Sequence, residues 1–178
     1  MGLARELLAN PLPRRWAHTQ GVARNARSFG DRVGDDATVV EAAAWLHDIG
    51  YSPTVAATGF HALDGARYLR DVHAADRTLC DLVAHHTGAA VEAEERGLAA
   101  GLAEFGPPGR HERLLSVLTA ADLMTGPDGG PMTPAARIEE ILTRYPADDV
   151  VYRSVMRSRD SLIGMSRSVL GVQQQRLG

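Results

Sequence analysis

The chain contains no lysine, so all 19 of its basic residues are arginines. A Walker-type phosphate loop needs a lysine after its Gly-rich turn, so an ATP-driven motor is excluded and ATP would be a substrate at most. The single cysteine, Cys80, excludes an intramolecular disulfide and a thiolate metal cluster, and its neighbours Leu79, Leu82 and Val83 place it in a core. Aromatic residues make up only 5% of the chain against 44% hydrophobic residues overall, so Ala, Leu and Val supply the apolar bulk. That composition favours helices. No apolar run approaches membrane-spanning length, and Met1-Gly2-Leu3-Ala4-Arg5 leads into polar and proline residues rather than an apolar signal core. A soluble, cytoplasmic protein is expected. The net charge of -3 lacks the basic excess of a nucleic-acid binder. The expected partner is a small molecule, with no nucleic-acid duplex and no membrane, and the sequence accommodates a homo-oligomer as readily as a monomer.

At 178 residues the chain suits one domain with a real core. Its apolar pattern is helical throughout, without strand alternation. Val22, Ala26, Phe29 and Val33 recur at steps of four, three and four after Pro13, which marks a buried stripe. Four residues before Val22 stands His18, which therefore points inward. A second helix is expected from Asp36 to His47, capped by Asp35 or Asp36 and stopped by Gly50 and Pro53. Further helices are expected over His61 to Val72, Ala75 to His86, Val91 to Phe105 and Arg110 to Met124. Leu115, Leu118 and Asp122 share a stripe in the last of these. Beyond the Gly/Pro-rich segment Thr125 to Thr133, Pro134 opens another helix and a long one follows Asp148. The Glu92 to Glu95 run reads as a solvated face.

His47-Asp48, placed where a helix stops, offers two metal ligands from one backbone point. A buried carboxylate such as Asp122 must be paired, protonated or bound to a cation. Taken alone, His18 is an ordinary hydrogen-bonded core histidine and His61 a first-turn residue; together with the doublet and Asp122 they form a donor set. Imidazole and carboxylate in combination suit divalent Fe, Mn, Co, Ni or Zn.

His18, the His47-Asp48 doublet and Asp122 resemble the H…HD…D signature of the HD-domain metal-dependent phosphohydrolase superfamily, over roughly Arg14 to Met124. The resemblance implies an all-α helical bundle, a single HD-type domain whose metal core is extended by C-terminal helices from about residue 134, and a metal held by those four residues. It also implies a second ion, with Asp48 bridging, at positions similar to His61, His85 and His86. Asp48, His61 and His86 are then the expected catalytic residues, acting on a phosphomonoester or phosphodiester of a nucleotide-like substrate through metal-activated water. Adjacent helical residues differ by about 100° in direction, so the choice between His85 and His86 stays open.

The chain departs from the family at Tyr51, where many members carry a phosphate-holding lysine. Arg14, Arg15, Arg24, Arg110 and Arg137 are the unranked replacements. Tyr51 raises one rival, a diiron oxygenase of the same ligand pattern acting with O₂ on a small organic substrate; a second, a non-catalytic nucleotide-binding module, is disfavoured by the intact ligand set. Trp16 and Trp45 read as core, His73 and His111 as solvated, and the segment after Asp122 as the rim that selects substrate.

Overall fold

The computed structural model describes residues 1–175, and these contain no β-strand, only an isolated bridge between Thr125 and Pro131. The helices are α1 (Gly2–Leu8), α2 (Pro13–Ser28), α3 (Ala37–Leu46), α4 (His61–His73) and α5 (Arg77–His85). The second half supplies α6 (Ala89–Glu95), α7 (Ala99–Leu102), α8 (Glu112–Leu123), α9 (Pro134–Arg144) and α10 (Val150–Gln175). The fold is all-α.

The periodic stripes select the buried faces. Pro13 opens α2 at its first turn, where a missing N–H costs nothing, and the helix buries His18, Val22 and Ala26 on one side. α2 packs against α3 and α8. α8 is buried from Leu114 through Leu123, the mark of a helix at the centre of a fold, and it also touches α3 and α10. The deepest helix therefore carries Asp122. Phe60, Ile49, Leu63, Leu82 and Leu118 are among the largest fully enclosed side chains, each worth roughly 1.5–3 kcal/mol of burial.

Local chemistry sets several boundaries. Asp76 caps α5 by accepting hydrogen bonds from the Thr78 (2.8 Å) and Leu79 amides, which starts this helix at Arg77 rather than at Ala75. Thr133 caps α9 through the Ala136 amide, beside Pro134. Asp36 holds the N-cap position of α3 without a side-chain hydrogen bond.

Three features depart from the apolar pattern. α1 buries Ala4, Leu7 and Leu8, too short a stripe for its period to announce a helix. The stretch from Val91 to Phe105 is two helices, because Gly97 adopts a left-handed φ of +69° between them. The acidic run is not a purely solvated face: Glu95 accepts from Arg153 (2.9 Å) and Arg157 (2.7 Å), and Glu94 from Arg157 (2.7 Å), so it docks α10. α10 also packs on α8 and α9, where Leu162 joins Leu123, Ile138 and Leu142 in a small second core. Cys80 is buried as expected, and Trp16 and Trp45 pack partly buried against each other, their rings 5.6 Å apart. No described helix is long and apolar enough to cross a membrane.

Candidate metal centre

Six of the seven histidine and aspartate residues singled out from the sequence converge. α2 supplies His18, the end of α3 supplies His47, and the turn after it supplies Asp48. His61 opens α4, His86 follows the last residue of α5, and Asp122 sits near the end of α8. Two triads have donor atoms within 4.8 Å of one another: His18, His47 and Asp48, and Asp48, His61 and His86. Asp48 belongs to both. Asp122 Oδ1 lies 3.0 Å from His18 Nε2 and so joins the first.

The backbone aims these rings. His18 Nδ1 donates to the Gly126 carbonyl (3.0 Å), His47 Nδ1 to the Ala44 carbonyl (2.8 Å) and His86 Nδ1 to the Val83 carbonyl (2.7 Å). With Nδ1 engaged by a carbonyl, each Nε2 is turned toward the cluster, the arrangement that metal-ligating histidines adopt. His47 Nε2 is buried without a hydrogen-bond partner, 3.3 Å from Asp48 Oδ2. His61 Nε2 stands 3.1 Å from His86 Nε2 and 3.7 Å from Asp48 Oδ1. An orphaned nitrogen, two facing nitrogens and two carboxylates, all buried apart from the partly buried His61, fit a divalent cation as their common partner.

The electrostatics agree. Burial disfavours charge on Asp48, yet the Arg15 guanidinium and His47 hold its carboxyl well below the usual carboxylate range. Asp122 is likewise held below the usual carboxylate range against burial, chiefly by its contact with His18. Burial and the neighbouring His86 depress His61, while burial and His47 depress His86, so both imidazoles are neutral. His47 behaves oppositely: burial lowers its pKa, but Asp48 and Asp122 outweigh it and raise it to about 9. A proton there occupies the place of a cation.

His85 is a correction. It is the last residue of α5, and its ring lines a different cavity beside Phe105, Leu102 and Ala90. His86, the next residue, ends α5 one helical step of about 100° further round, so its ring faces the cluster while that of His85 faces away. His111 is also less exposed than expected, with Nε2 3.4 Å from the buried Asp81.

The arginine candidates separate by position. Arg15 Nη1 donates to Asp48 Oδ2 (2.9 Å), and its guanidinium lies 4.0 Å over the Tyr51 ring. Tyr51 in turn stacks on His61 at 4.1 Å. A cation thus reaches the place of the missing lysine from α2. Arg137 also lines the cavity over the cluster. Arg14 pairs with Asp128 (2.7 Å) at an exposed rim, Arg24 donates to the Gly129 carbonyl (3.0 Å), and the exposed Arg110 follows Pro107 on the His85 side.

Two contributions are silent in the sequence. Thr87 donates to Asp122 Oδ2 at 2.6 Å from a left-handed backbone (φ 42°), a conformation costing roughly 1–2 kcal/mol for a residue with a Cβ. Such strain persists where the surroundings enforce it. The segment after Asp122 is more than a rim: Gly126 orients His18, and Gly129 packs against the Ala17 carbonyl with φ +80°.

The fold and the cluster define an all-α protein with a buried histidine–aspartate centre suited to divalent metal. Residues 15–142 match the family model described as HD domain, and the chain belongs to this family, the HD metal-dependent phosphohydrolase superfamily. Its members are generally metal-dependent hydrolases. No curated protein and no solved structure matches the chain in the corresponding comparisons.

Proposed function

We propose that this protein is a metal-dependent phosphohydrolase that cleaves a phosphomonoester or phosphodiester of a small, nucleotide-like substrate. The observation that carries the reading is Arg15, a cation hydrogen-bonded to Asp48, the carboxylate common to both triads. His18, His47, Asp48 and Asp122 would hold one divalent ion, and Asp48, His61 and His86 a second. A cation held there supplies Lewis acidity, lowering the pKa of water toward neutrality and neutralising phosphoryl charge.

The chain's own groups do the rest. Arg15 lines the cavity over the cluster and presents a planar fork to phosphoryl oxygens, replacing the lysine absent at position 51. Tyr51 carries that guanidinium over its ring and stacks on the His61 ring, which steadies both. Thr87 keeps Asp122 from rotating away from His18. Enclosure of the donors strengthens every charge interaction at the reacting phosphorus.

The test is anaerobic purification followed by parallel measurement of phosphate release and O₂ consumption over a panel of phosphomonoesters and phosphodiesters. Metal-dependent phosphate release is expected. Uptake of O₂ without phosphate release would establish the oxygenase instead, and nucleotide binding with neither would establish a binding module.

A further inference from the structure

A second cavity of about 320 Å³ adjoins the cluster and shares Arg15, His18, Arg137 and Arg144 with the cavity above it. Its outer rim carries Arg14 and Pro127. The charges on its walls do not balance. Arg14 is matched by Asp128, but Arg137 and Arg144 share a single carboxylate, Glu140, with Arg144 Nε 2.9 Å from it. These three residues fall at steps of three and four on α9, so they project from one face. The face keeps a surplus positive charge.

Arg137 is the unusual member. It is only 5% exposed, and its Nε has no hydrogen-bond partner. An unmet donor on a buried cation is costly, and it is retained between the two cavities where its charge reaches Asp122. A guanidinium in this state is a receptor for planar or tetrahedral oxyanions.

We infer that Arg137 and Arg144 form a second anion subsite, so that the centre takes substrates with an anionic group beyond the one presented to the cluster: diphosphate esters in preference to monophosphate esters. The inference rests on the phosphoester reading of the cluster and names its substrate class. The first phosphoryl group sits by Arg15 and the second by the α9 pair. One cavity thus reads the reacting group and the other counts charge.

The experiment is calorimetric titration of the metal-loaded protein with adenosine monophosphate and adenosine diphosphate, which share one nucleoside. The wild type should bind the diphosphate at least about tenfold more tightly, equivalent to about 1.4 kcal/mol. Arg144→Ala and Arg137→Gln should each bring that ratio below about threefold, as loss of one charge-assisted bond requires. Arg144 is partly exposed, so its variant decides the matter even if the buried Arg137→Gln fails to fold. Equal affinities in the wild type, or an unchanged ratio in Arg144→Ala, would overturn the subsite. Arginine-dependent preference with no phosphoester hydrolysed would sink the hydrolase reading and leave the subsite standing; hydrolysis without preference would do the reverse.

Discussion

Replacing Gly50 by alanine should damage one side of the metal centre through backbone contact alone. Gly50 is buried in the turn that carries Asp48, and a Cβ placed there runs into the His61 carbonyl and comes within 2.8 Å of the Gly65 amide nitrogen. Both neighbours are main-chain atoms of α4, which cannot rotate aside as a side chain would. The turn and α4 must separate. Overpacking of this kind costs about 1–3 kcal/mol, and the rigid partners put Gly50→Ala near the upper end. At roughly 2–4 °C per kcal/mol for a domain of this size, Tm should fall by about 6–12 °C. The displacement also widens the 3.7 Å gap between Asp48 and His61, whereas His18 and Asp122 lie on α2 and α8 and keep their places. Metal should therefore be lost first from the His61 and His86 side. Thermal unfolding with elemental analysis of the same samples measures both effects. A Tm within about 1 °C of wild type, with full metal content, would refute the close approach.

Other perturbations separate the roles of neighbouring residues. Arg15→Ala should retain metal but lower kcat/KM by about 10- to 100-fold, the loss of one charged hydrogen bond of about 1.5–3 kcal/mol in steady-state kinetics. His86→Ala should reduce bound metal, whereas His85→Ala should leave metal content intact and cost only stability. Equal metal loss in the two variants would place His85 in the metal centre as well. Stripping metal with a chelator should lower Tm by about 5–11 °C for a site held at 100 times its Kd, a shift of about 2.7 kcal/mol that disappears on reloading. Shortening the loop between Gly126 and Pro131 should cost metal as well as activity, because the Gly126 carbonyl sets the His18 ring, while Asp128→Ala should leave metal content unchanged.

What the sequence revealed follows from helical periodicity. His18 and Asp122 lie on apolar stripes long enough to fix their direction, and both point into the cluster. His61 was legible as the start of a helix after the loop of Ser, Pro, Thr and Gly residues from Ser52 to Gly59. The pattern was mute at the end of α5: His85 and His86 differ by one residue, about 100° around the axis, and the packing of that helix decides which of them faces the cluster. It was mute again for long-range pairings. Arg15 over Tyr51, Thr87 on Asp122 and the acidic run against α10 each join segments distant in sequence, and no local spacing encodes them. Arg137 stood among five unranked arginines until the fold placed it between two cavities, while Arg144, absent from that group, proved to share its carboxylate.

The most direct test of the centre is the divalent metal content of the wild type beside Asp48→Ala, both loaded under identical anaerobic conditions. Asp48 is the carboxylate common to both triads, so the wild type should hold one to two tightly bound transition ions per chain and the folded variant essentially none. A metal-free wild type, or a variant that keeps its full complement, would contradict a metal centre built around Asp48.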